Sequence, residues 1–173
     1  MESINIKALV ERCAKGEASG FAVLYEHLID RIFSFVASRV NGRDDAIEVT
    51  QDSFIELHKA LSKFTYKSDA EFYGFVFTIV RRQLAKYYFM DNKHKTSEIN
   101  ENTLRSNLPD IELTQSVRSA LETLDERTRE IVVLHHWSRF TFAEIGSIIN
   151  MTESAVRVRH HRALAALASV LNA

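Results

Sequence analysis

The chain has 173 residues, 46% of them hydrophobic and 26% charged, with a formal net charge of −1 at pH 7. This is the composition of a globular protein of one domain or two small ones, and it excludes a disordered chain. No run approaches the roughly eighteen apolar residues of a membrane span. The N-terminus "MESINIKALVERCAKGE" lacks the basic start and apolar core of a signal peptide, so a cytoplasmic protein with no membrane insertion is expected.

With one cysteine, Cys13, the chain can form no internal disulfide and holds no thiolate pair for zinc, so this thiol reads as a small hydrophobe. Five glycines, one proline and three-and-four spacing of apolar residues throughout predict an all-α protein. A short helix is expected from Ile6 to Lys15. A long one follows, with Phe21, Leu24, Leu28, Ile32, Phe35, Val36 and Val40 on its inner face. The next spans about Asp44 to Ser62 with a stripe of Ile47, Phe54, Leu57 and Leu61. Another spans about Asp69 to Phe89, with Phe72, Phe75, Val76, Ile79, Val80 and Leu84 turned inward. These four can close a small bundle over residues 1–90.

From 91 to 111 the sequence is polar, rich in Asn and Ser, and contains the single proline, Pro109, so it reads as a flexible linker between domains. A second helical domain is expected over 112–173. Val117, Leu121 and Leu124 mark its first helix, and Asp125 is placed to cap the next, in "LDERTREIVVLHHW". Thr141 and Glu144 have the spacing of a capping box for a short helix over "FAEIGSII", a turn falls at Asn150 and Met151, and Thr152 can cap the last helix.

Two short helices joined by a tight turn, the second capped and basic, form the pattern of a helix-turn-helix, whose second helix enters the major groove of DNA. Gly146 would permit close approach, and Ala143, Ile145, Ile148, Ile149 and Val156 would form the joint core. Ser154, Arg157, Val158, His161 and Arg162 then cluster on the open side, where arginine's planar fork suits guanine edges and phosphates. The pairs His135/His136 and His160/His161 do not read as a metal site, because neighbouring helical residues diverge by roughly 100°. No cofactor motif or catalytic constellation is evident either, so an enzyme is not expected.

Between Phe64 and Phe89 lie nine of the chain's aromatics, interleaved with or followed by Lys63, Lys67, Arg81, Arg82, Lys86, Lys93 and Lys95. Rings beside cations suit single-stranded nucleic acid, although Phe72, Phe75 and Phe77 have core spacing, leaving Tyr73, Arg82 and Lys86 as the exposed candidates. The preceding helix carries an acidic and polar face, Asp45, Glu48, Gln51, Asp52 and Glu56. Such acids offset the local basic surfaces in the net charge, while local field is what binds DNA.

Three blocks in this order resemble the sigma factors of bacterial RNA polymerase, in the small two-domain extracytoplasmic-function group: "DDAIEVTQDSFIEL", "EFYGFVFTIVRRQLAKYYF" and "LDERTREIVVLHHWSRFTFAEIGSIINMTESAVRVRHHRAL". The resemblance covers about Phe21 to Leu171. It implies that Asp45, Glu48, Gln51, Asp52 and Phe54 dock on the clamp helices of the polymerase's largest subunit. Lys67, Phe72, Tyr73, Arg81, Arg82 and Lys86 would hold the opened minus-ten element, and Ser154, Arg157, Val158, Arg159, His161 and Arg162 would read the minus-thirty-five element as duplex. Further implied contacts are the flap of the second-largest subunit and an anti-sigma protein. The chain departs from the family at Phe75, where tryptophan is common, at Arg82 and Lys86, at Ser154 in place of glycine and at Val158 in place of serine. The alternative reading is a stand-alone helix-turn-helix regulator, which would bind a duplex operator without polymerase.

Overall fold

The computed structural model describes residues 4–40, 42–95 and 115–171, and among these it contains eight helices and no strand. The first four are α1 (Ile6–Ala14), α2 (Ala18–Ala37), α3 (Arg43–Leu61) and α4 (Asp69–Lys95). The Asn5 side chain accepts from the Ala8 amide to start α1, and Gly16, at φ 81°, turns the chain into α2. Leu24, Leu28, Ile32, Phe35 and Val36, all fully buried, recur on the inner side of α2, as their spacing requires. On α3 the stripe is shifted from expectation. Ala46, Val49, Ser53, Phe54, Leu57 and Leu61 are buried while Ile47 is exposed. Only α3's last two turns follow the apolar pattern closely; at its start, small and β-branched side chains fill the narrow gap to α2 and α4.

Helix α4 runs past Phe89 to Lys95, into the segment read as the start of the linker, and the remainder of that segment, from 96, lies outside the described residues. The second group is α5 (Gln115–Glu122), α6 (Glu126–His136), α7 (Phe142–Ile149) and α8 (Glu153–Leu171), with α5, α6 and α7 all packed on α8. The expected signals operate as local chemistry. The Asp125 carboxylate accepts from the Thr128 amide at 3.1 Å and its hydroxyl at 2.6 Å. Thr141 and Glu144 form a complete capping box, and the Thr152 hydroxyl accepts from the Ala155 amide.

The two groups share a core. Helix α7 lies along α4 and α6 meets α2, so Tyr73, Val76 and Phe77 belong to the same buried cluster as Ile131, Leu134, Phe140, Ile145 and Ile148. Phe140 is the plug of this joint, its ring edge-on to Tyr73 at 5.0 Å and to Phe77 at 5.3 Å, with the Arg31 guanidinium 4.8 Å above it. The Ser138 hydroxyl donates to the Arg31 carbonyl, and Glu130, only 13% exposed, lies 2.8 Å from Arg81 and 3.8 Å from Arg39.

Candidate nucleic-acid interface

The helix-turn-helix is α7, a turn and α8. Asn150 takes the left-handed conformation at φ 56°, and the Met151 amide donates back to the Gly146 carbonyl at 2.8 Å, closing α7 in a tight turn. A Cβ on residue 146 would lie 2.6 Å from the Met151 carbonyl oxygen, so glycine is required by the path of the turn itself. Ile145, Ile148, Ile149 and Val156 form the joint core as expected. Ala143 does not: one residue off the apolar stripe, it is exposed.

On α8, Ser154, Arg157, Val158, His161 and Arg162 are all exposed on the open side. Their surroundings differ. Arg157 is tied to Glu153 at 2.6 Å and lies over the Phe142 ring, whereas Arg162 has no ion-pair partner among the described residues. Arg159 points to the flank, 3.5 Å from both Asp125 and Thr128, and so braces α8 against the start of α6. Behind the reading face, one histidine from each pair meets across helices: His136 Nε2 and His160 Nε2 are 3.0 Å apart, with rings 22° from parallel, and His135 stacks on Phe142 while bonding to the Phe140 carbonyl. With Nε2 atoms head to head, one imidazole must donate and the other accept. Burial first, then the neighbouring histidines, lowers the pKa of both His136 and His160.

The aromatic helix α4 is mostly core. Phe72 and Tyr73 are 0% and 3% exposed, so neither offers a ring to a base in this structure, correcting the sequence expectation for both. Tyr73 meets His27 Nε2 through its hydroxyl at 3.0 Å, and burial pushes its phenol up to about 12. For Tyr73 the reason is tertiary: Phe140, on the loop that leads into α7, packs against its ring, and Arg31 of α2 lies over it. Lys67, Arg82 and Lys86 remain exposed, and Arg81 is half-buried against Glu130.

On α3, Glu48 and Gln51 are exposed and Asp45 and Asp52 half-buried. Asp45 accepts from the Tyr87 hydroxyl at 2.8 Å and Asp52 lies 3.4 Å from Lys86. Phe54 is 4% exposed, its ring 4.5 Å from that of the exposed Tyr25 and tilted to it by 51°, so it underlies this surface and does not project from it. Sequence reasoning missed the apolar groove that Phe54 helps to line, about 440 Å³, together with Phe21, Tyr25, Gln51, Ile55, His58 and Lys59. The only signal for it was Ile55, an apolar residue off the buried stripe.

Residues 24–93 match the model of sigma-70 region 2 and residues 114–167 that of sigma-70 region 4. The chain belongs to the sigma-70 family. Sigma factors are non-enzymatic subunits that give RNA polymerase its DNA recognition, and this chain is one of the extracytoplasmic-function group. It is similar to the ECF RNA polymerase sigma factor BldN of Streptomyces coelicolor, 25% identical over 98% of this chain and 67% of that protein. It is also similar to the ECF RNA polymerase sigma-E factor of Escherichia coli K12, 27% identical over 96% of this chain and 94% of that protein. In fold it resembles CnrH in complex with the cytosolic domain of CnrY, with a TM-score of 0.69 at 22% identity over 96% of both chains. It likewise resembles the sigma factor RpoE in complex with the anti-sigma factor NepR from Bartonella quintana, with a TM-score of 0.62 at 20% identity over 90% of this chain and 98% of that one. No described helix of this sigma factor is long and apolar enough to cross a membrane.

Proposed function

We propose that this sigma factor divides its work among three surfaces. The outer side of α3, with Glu48, Gln51, Asp52 and the Tyr25–Ile55 groove, docks on the clamp helices of the polymerase, acid and apolar surface together giving orientation and affinity. The exposed cations Lys67, Arg82 and Lys86, joined by Arg81 when it leaves Glu130, hold the phosphates of the opened minus-ten strand. Helix α8 reads the minus-thirty-five duplex through Ser154, Val158, His161 and Arg162, with Arg157 and Arg159 bracing it. The N-terminal unit spans 1–90 and the C-terminal unit 112–173, and the protein works in the cytoplasm with polymerase. An anti-sigma protein is a further partner, by extension from the solved relative that carries one.

The observation that carries this reading is the exposure of the whole α8 face on a helix-turn-helix whose caps, turn and core are otherwise complete. Run-off transcription with core RNA polymerase and a genomic promoter pool tests it. New starts preceded by a shared two-part motif are the expected result. Silence beside an active control sigma, with tight operator binding by the protein alone, would instead favour the stand-alone regulator.

A further inference from the structure

Val158 stands in the middle of the reading face with 52% of its surface exposed. A β-branched side chain adds little to a helix and an exposed aliphatic one adds little to a fold, so what distinguishes Val158 from the other exposed aliphatics of α8, Leu164, Val170 and Leu171, is its place among the reading residues. One turn before it is Ser154 and one turn after it is Arg162, which puts an apolar group between a hydroxyl and a guanidinium on the same stripe. Beside it the surface is concave. Met151, Ala155 and Val158 supply the apolar part, and Ser154, Arg159 and Arg162 the polar part, of the lining of a shallow depression of about 360 Å³. Arg159 leans toward Asp125 and Thr128, 3.5 Å from each, while Arg162 has no ion-pair partner among the described residues.

A partner that fits this surface is anionic, edged with hydrogen-bond acceptors, and carries one small apolar projection. In the major groove only thymine presents such a group, its 5-methyl, next to acceptor atoms; cytosine presents an amino group there and the purines present polar edges. We propose that Val158 is a specificity-determining residue of this sigma factor and that, with Met151 and Ala155, it receives the 5-methyl group of a thymine in the minus-thirty-five duplex. The proposal rests on the reading that α8 meets that duplex. Ser154 and Arg162 then set the position of the methyl along the groove, one by a hydroxyl to a phosphate or base edge and the other by its fork.

The test uses core polymerase loaded with the full chain and a promoter fragment mapped by run-off transcription. Each thymine of the minus-thirty-five element, on either strand, is replaced singly by deoxyuridine, which removes only the methyl group, and holoenzyme binding is measured by competition. At one position affinity falls about four-fold, the value of one buried methyl group. That dependence disappears in Val158→Ser and persists in Val158→Ile, both on an exposed site that tolerates exchange. Wild-type indifference to every replacement, while base-pair swaps in the element still weaken binding, overturns the proposal and leaves the reading of α8 intact. Thymine dependence that survives in Val158→Ser assigns the methyl to another residue and also overturns it, as does a mapped element composed only of G·C pairs. Binding that survives scrambling of the whole element defeats the reading of α8 and the proposal with it.

Discussion

Arg162 and Arg157 lie on the same helix face but in different chemical circumstances, and the difference sets what each substitution does. Arg157 already spends its guanidinium on Glu153 and the Phe142 ring, whereas Arg162 keeps its donors for DNA. Arg162→Ala is expected to weaken holoenzyme binding to the promoter by about 1–3 kcal/mol, the range for a lost base contact, as read by competition at fixed salt. The histidine pair behind this face makes a second prediction. His136 and His160 have pKa values below the ordinary imidazole value because burial disfavours their charged forms. The folded protein therefore binds fewer protons than the unfolded chain. The stability they contribute is complete above about pH 6.5 and is lost as pH falls below it through their lowered values. Lowering the pH from 7 to 5 should lower the Tm, and His160→Gln should flatten that dependence. Asp125 acts in the same sense in a lower window, its carboxyl held below the usual range chiefly by the Thr128 hydroxyl and amide. The Asp125 and Thr141 caps were legible in the sequence because a cap is decided within four residues. The meeting of His136 with His160 was not, because each pair alone diverges and only the crossing of α6 and α8 brings one member of each together.

At the scale of elements, the turn between α7 and α8 allows little substitution. Gly146→Ala would drive a methyl into the Met151 carbonyl at 2.6 Å, and backbone on both sides of the clash leaves nothing flexible to yield. Overpacking of this kind costs about 1–3 kcal/mol, and urea denaturation should show it as a lower midpoint with an unchanged slope. Glycine was visible in the sequence as a residue permitting close approach, but the sequence did not show that the approaching group is the turn's own carbonyl. Most helices were legible to within two residues, whereas α4 runs past its expected end at Phe89 to Lys95. The errors fall where pattern is weak or shared: Ile47 on α3 and Ala143 on α7 look apolar but face water, and Phe54 looks like part of an acidic surface but faces the core. Tyr73 failed for a different reason. Its burial depends on Phe140 and Arg31, which no local window holds together with it.

For the whole molecule, the joint between the two helical groups is held by Phe140 as an aromatic plug and Glu130 as an acid between two arginines. Replacing Glu130 by alanine leaves Arg39, inside the joint, without its carboxylate, and Arg81 with it. A fully buried pair would lose more, but Arg81 is 37% exposed, so a cost on the order of 2 kcal/mol is expected, measured by urea unfolding. The same variant should show a larger radius of gyration in small-angle scattering if the joint opens before either group unfolds. The all-α class and the order of the helices were readable from composition and capping. The packing of the two groups on each other was not, because the residues that make it, Arg31, Glu130 and Phe140, each look ordinary in their own helix or loop.

Because both groups belong to one chain, closure of this joint is intramolecular, and even a modest interface competes at an effective concentration that a separate molecule would rarely reach. Any ligand of the covered side of α4 thus pays a conformational tax: its apparent affinity is its intrinsic affinity multiplied by the open fraction, and each tenfold preference for closure weakens it tenfold. In the proposed reading Arg81 is the strand-binding cation tied across this joint, so by reciprocity whatever holds the two groups apart frees it for a phosphate, and strand capture and docking on a large scaffold become linked through that residue.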